Sequence, residues 1–213
     1  MNRRTRVLTA AAVSATLALG GTAVAQSKGW RVGDHEVRVA LPEGQSNPAI
    51  ANGVATGGEV ALYQSSGLGP TALNPSAPAN SPERYTDPAL TEGAQGVTVT
   101  EAQALVVLRN IAANLKAAGL RPNDVITMKC YLMKPPGAAT ADYAGWNRAY
   151  RQYFANTDLS TGEVVPVPMG TSAPKAPLTV NSARPARATM EVTSLAVPGW
   201  LVEVEVTAAY PRR

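Results

Sequence analysis

Pro185-Ala186-Arg187-Ala188-Thr189-Met190-Glu191-Val192 and, after a turn at Ala196-Val197-Pro198-Gly199, Leu201-Val202-Glu203-Val204-Glu205-Val206-Thr207-Ala208-Ala209 decide how this chain is read. Both runs alternate apolar and polar residues with a period of two, the pattern of half-buried β-strands. Each sets a charge inside or beside an apolar strand, where it needs a partner or a ligand. An arginine so placed can grip a carboxylate through two parallel hydrogen bonds, and a nearby glutamate can move a proton. Arg187 has two structural rivals for that role, an ion pair with Glu191 or one with Glu205. Glu203 and Glu205 share one strand face, and either can be the proton carrier.

Working back, Asp124 to Leu132 predicts another strand, with Ile126, Met128, Cys130 and Leu132 on one face and Thr127, Lys129 and Tyr131 on the other. Cys130 is then a small buried hydrophobe. Before it, Leu105, Leu108, Ile111, Ala112, Leu115 and Ala118 recur at helical spacing. A helix from Thr100 follows, with Thr100 and Gln103 as a capping box and Gly119 as its stop. A second helix is expected over Ala141–Phe154, its aromatic stripe of Tyr143, Trp146, Tyr150, Tyr153 and Phe154 facing core or a subunit contact. Shorter strands are expected at Glu36–Leu41 and Glu59–Gln64. Two stretches lack periodicity, about 69–98 and 157–184, and read as long ordered loops. The order of two strands, helix, strand, helix and two strands predicts an α+β domain, its helices packed on one face of a mixed sheet.

The amino terminus reads differently. Arg3, Arg4 and Arg6 precede an apolar stretch from Val7 to Leu19, and Ala23-Val24-Ala25 supplies a small-residue cleavage pattern. Residues 1–25 are therefore expected to be a secretory signal peptide, residues 26–213 a single exported domain, and the location periplasmic or extracellular. The apolar run is too short and alanine-rich for a membrane span. The chain has 19 Lys and Arg against 15 Asp and Glu, and three of the arginines lie in the leader. The remaining balance of 16 to 15 offers no basic surface for nucleic acid. One cysteine excludes an internal disulfide. With one histidine, His35, which reads as solvated, it also makes a Cys/His zinc site or a thiol–imidazole dyad unexpected.

The motifs, taken in order, resemble the Rid family (reactive intermediate deaminases, also called the YjgF family). They are Ser66-Gly67; Gln103 with Asn110-Ile111 and Leu115-Lys116-Ala117-Ala118-Gly119-Leu120; Asp124-Val125; Asn147-Arg148-Ala149-Tyr150 with Phe154; and the two closing strands. The resemblance spans roughly Pro48 to Ala209. It implies a chorismate-mutase-like α+β fold and a homotrimer with ligand clefts between subunits, without a cofactor or metal. It further implies hydrolysis of an enamine or 2-imino acid to a keto acid and ammonia, with Arg187 holding the carboxylate and Glu203 serving water and proton. Thr189 and Ser66 would contact the substrate. The alternative is a trimer that binds a small carboxylate, or acts as a scaffold, without turnover. Nucleic-acid cleavage, also associated with the family, is disfavoured by the near-neutral mature charge. The chain departs from the pattern at Pro48–Gly53, which lacks the family's tyrosine, and at Thr189, where the family has cysteine.

Overall fold

A computed structural model describes residues 31–212. The expected leader, residues 1–25, lies outside the described residues. The described residues form six strands and two α-helices: β1 (Val37–Ala40), β2 (Gly53–Thr56), β3 (Leu62–Gln64), α1 (Val99–Ala117), β4 (Val125–Met133), α2 (Tyr143–Arg151), β5 (Ala186–Val192) and β6 (Val202–Ala209). β1 and β2 pair as a separate antiparallel ribbon, and the main sheet runs β3-β6-β4-β5. β4 and β5 are parallel, while β6 is antiparallel to both β3 and β4, so the sheet is mixed as expected.

Both helices cover one face of that sheet. Met128, Cys130 and Leu132 of β4 and Val202, Val204 and Val206 of β6 are buried there, against Leu105, Leu108, Ile111 and Leu115 of α1 and Trp146, Tyr150 and Phe154 of α2. Each fully buried leucine or isoleucine contributes roughly 1.5–3 kcal/mol of transfer free energy. The aromatic stripe is core except at its first member, since Tyr143 is exposed.

Several expectations need correction. β2 was not anticipated, because Gly53-Val54-Ala55-Thr56 is short and begins on a glycine. α1 starts two residues earlier than Thr100 would place it: Thr98 is the cap, accepting at its hydroxyl from Glu101 N–H at 3.2 Å. Thr100 is buried, and Gln103 does not complete a capping box. Its buried amide instead donates to the carbonyls of Pro82 (2.8 Å) and Gly199 (2.7 Å) and accepts from Leu201 N–H (2.7 Å). Nor is the first half of α1 amphipathic. Every residue from Thr100 to Leu108 is buried, because the 69–98 segment packs across what would have been its solvent face.

The helix ends as expected. Gly119 adopts φ +75°, and the amides of Gly119 and Leu120 return to the carbonyls of Lys116 and Leu115. α2 is shorter than Ala141–Phe154. Asp142 caps it by accepting from Gly145 N–H at 2.7 Å, and the chain leaves helical geometry after Arg151. Neither long loop contains a strand or an α-helix. The 69–98 loop holds two single 3₁₀ turns, Pro82–Tyr85 and Pro88–Thr91, and is fastened by Tyr85 meeting Trp200 edge-on at 6.4 Å.

Candidate functional site

β4 settles how the sequence-derived residues are arranged. In its parallel ladder Met128 faces Arg187 and Cys130 faces Thr189. In its antiparallel ladder Tyr131 faces Glu203 and Lys129 faces Glu205. Directly paired residues project from the same side of a sheet, and successive residues from opposite sides. Arg187 and Thr189 therefore lie on the helix side, Glu203 and Glu205 on the open side. Within one chain the sheet stands between the arginine and both glutamates.

On the helix side, α2 builds the setting of Arg187. The guanidinium carbon lies 4.2 Å from the centroid of the Tyr150 ring and 5.9 Å from that of Trp146. Stacking on an aromatic face fixes the plane of the fork at little cost in solvation. Asn147 Oδ1 accepts from Arg187 NH2 at 2.7 Å, fixing its rotation within that plane. Tyr150 is itself held, stacked on Phe154 at 5.5 Å and donating its hydroxyl to Ala49 O at 2.8 Å. Burial pushes that phenol well above its ordinary value, so it stays neutral. Neither ion pair considered for Arg187 forms. Glu191 accepts from Ala141 N–H at 2.8 Å, and Glu205 accepts from Tyr131 OH at 3.2 Å with Lys129 Nζ at 3.6 Å. Among the described residues Arg187 has no carboxylate partner, and its NH1 has no hydrogen-bond partner. Cys130, beside Thr189, is fully buried, and burial pushes its thiol up to about 12.

On the open side, Ser66-Gly67 follows β3 and returns to β6 through Leu68, whose amide and carbonyl both pair with Val204. A Cβ on Gly67 would stand 2.0 Å from Glu203 Oε1, so only glycine lets the carboxylate lie against this turn. Ser66 is exposed beside it. Ser66 and Glu203 are thus brought together, Arg187 and Thr189 are brought together, and the two pairs are apart.

Sequence reading missed Asn147 and Tyr150 as the setting of Arg187. Their spacing of three on α2 was legible, but which strand that face would meet was not. Asn110, one of the motif residues, is structural: its Nδ2 donates to Gly69 O and Thr71 Oγ1, both at 3.1 Å. His35 is half exposed and 3.1 Å from Glu59. A cavity of about 460 Å³ lies among Val37, Val39, Ile126, Ala209 and Tyr210, and another of about 290 Å³ between the two long loops. Neither is lined by Arg187, Ser66 or Glu203. Among the described residues no cluster of His, Cys, Asp and Glu is placed to hold a metal, and no helix is long and apolar enough to cross a membrane.

Several solved structures are similar at low identity. A protein of unknown function from the conserved Rid family of Yersinia pestis is 19% identical, with 82% of this chain and 98% of that chain covered and a TM-score of 0.46. A YjgF-family protein from Neisseria meningitidis is 19% identical, covering 84% and 99% with a TM-score of 0.40. A member of the highly conserved YjgF/YER057c/UK114 family from Mycobacterium tuberculosis is 18% identical, covering 82% and 100% with a TM-score of 0.39. No curated protein matches. The family model described as Endoribonuclease L-PSP matches residues 89–210, more than half of the chain and all of α1, β4, α2, β5 and β6, and the chain belongs to that family, the YjgF/Rid family its motifs resemble.

Proposed function

We propose that this chain is an exported, homotrimeric imine or enamine deaminase acting on a small 2-imino acid. Its site would lie in a cleft between subunits, where Arg187 and Thr189 of one chain meet Ser66 and Glu203 of a neighbour. The observation that carries this reading is the state of Arg187. Its guanidinium is laid flat on Tyr150 and steadied by Asn147, yet no carboxylate of the described chain pairs with it. A fork that is fixed but unpaired suits an incoming carboxylate.

In the reaction, water adds to the electrophilic imine carbon while a proton passes to nitrogen. The resulting carbinolamine expels ammonia and leaves the keto acid. Holding substrate and water in register supplies much of the barrier reduction. Arg187 would fix the carboxylate, and Glu203 would take a proton from water and return one to the leaving nitrogen. These groups lie on opposite faces of one sheet, and a subunit-boundary site would let Arg187 of one chain and Glu203 of a neighbour reach one ligand.

The test generates imino acids in situ with an amino-acid oxidase and follows keto-acid release with the mature protein, Arg187→Ala and Glu203→Gln. All three are first checked by light scattering to be trimers. Acceleration by the wild type that is lost in Arg187→Ala supports the reading. A well-folded trimer that accelerates none of a broad panel would refute it, leaving a carboxylate-binding trimer without turnover as the account. A stable monomer would remove the shared cleft.

A further inference from the structure

Glu101 sits in the first turn of α1, fully buried and remote in sequence from β5. Its carboxylate accepts three hydrogen bonds. Arg148 Nε and NH2 reach Oε2 at 2.9 and 2.7 Å, and the Gly170 amide reaches Oε1 at 2.8 Å. One buried charge therefore joins α1, α2 and the 157–184 segment. Charge-assisted bonds out of water are strong and directional, and losing one partner leaves the others poorly compensated.

Arg148 is the residue after Asn147. Neighbours on a helix point about 100° apart, so a contact that pins Arg148 also sets where Asn147 points. Asn147 in turn accepts from the Arg187 fork. The start of α2 is held separately, by Asp142 accepting from Thr98 Oγ1, which leaves the Glu101–Arg148 pair to fix the next turn.

The other end of the link is equally confined. Gly170 has φ +59°, and a Cβ there would stand 2.0 Å from Gln95 O and 2.6 Å from Val97 N. Thr171 N–H donates to Gln95 O at 2.7 Å, and Gln95 N–H donates to Ser172 Oγ at 2.8 Å. The amide that reaches Glu101 is therefore presented only when the two long loops are seated against each other.

We infer that Glu101 is a positioning residue for Arg187. It holds α2 in register through Arg148, and it makes that register depend on the seating of the 157–184 segment at Gly170. The inference rests on Arg187 as the carboxylate anchor and adds a control remote from the ligand.

The experiment titrates 2-oxobutyrate, a stable keto acid, into mature trimer by calorimetry, well below each variant's melting temperature. Wild type is compared with Arg187→Ala, Glu101→Gln and Gly170→Ala. Gly170→Ala alters no charge and lies outside α2 and β5, so it carries the test if Glu101→Gln fails to fold. The expected result is wild-type binding that Arg187→Ala abolishes and that Glu101→Gln and Gly170→Ala each weaken about tenfold at unchanged stoichiometry. The double variant should bind no more weakly than the worse single one, because both act through the same carboxylate. A folded Gly170→Ala or Glu101→Gln trimer with a dissociation constant within twofold of wild type would overturn this inference and leave the anchor standing. Absence of binding by folded wild type would overturn both.

Discussion

Arg184 and Arg187 are three residues apart at the head of β5, and their surroundings could hardly differ more. Arg184 is 4% exposed, and each nitrogen of its guanidinium donates to protein oxygens: the carbonyls of Pro48, Thr157 and Ser182, the Thr157 hydroxyl, and Asn47 Oδ1. Burial, with Arg151 nearby, pushes its pKa down. Arg187 is half-buried, stacked, and bonded to one amide oxygen. The first arginine is consumed by the fold, tying the 157–184 segment to the Asn47–Pro48 turn. The second is shaped by the fold but not consumed. Residue type and strand context alone would have ranked them alike. What separates them is the count of acceptors within reach.

That contrast can be broken most forcefully at Arg184. Arg184→Ala should cost about 3 kcal/mol of stability, since several buried carbonyls lose their donors together. Urea unfolding measures it, and a loss under about 1 kcal/mol would show that the saturation counts for little. Arg187→Ala should do the reverse. Its unfolding free energy should change by less than about 1 kcal/mol, while calorimetry should show keto-acid binding weakened by about 2 kcal/mol or more, roughly thirtyfold. A third substitution sharpens the picture. Asn147→Ala leaves the stack intact and removes one bond, so affinity should fall by about 1 kcal/mol with stability unchanged.

The smallest effect concerns acid. The Asp158 carboxyl, next to the Arg184 cradle, accepts from the hydroxyls of Ser160 and Ser46 and from the amides of Ser160 and Thr161. These bonds hold it well below the usual carboxylate range. A depressed folded value means its contribution is complete above the ordinary value near 4 and fades as pH falls through the depressed one. Asp158→Asn should therefore be less stable than wild type at pH 7, with the gap closing below about pH 4. A gap that is constant with pH would contradict it.

Much of the fold was legible because its longer elements obey their periods. Met128, Cys130 and Leu132 alternate into the core as their spacing requires, Ile126 leaves that pattern at the register shift between Val125 and Thr127, and Gly119 ends α1 where a left-handed residue is needed. The misreadings have a common cause, in long-range contacts. Thr100 looked like a cap because nothing local reveals that the 69–98 loop buries it. Gln103 looked like half of a capping box, yet it serves three backbone groups from two distant segments. The site was half legible. Arg187, Thr189, Ser66 and Glu203 stand out by type and motif, whereas their division between two sheet faces follows from the registers of β5 and β6 against β4. Strand order and register are tertiary facts.

Cys130 offers a practical return. The chain has one thiol, and it lies at the middle of the central strand with no exposed surface and a pKa near 12. A thiol-labelling reagent can reach it only when β4 parts from its neighbours or the helices lift away. Labelling rates at fixed pH would then report the opening free energy of the core directly, at a single position and without mutagenesis. The same measurement, repeated with and without a carboxylate ligand, would weigh occupancy of the arginine against the integrity of the sheet beneath it.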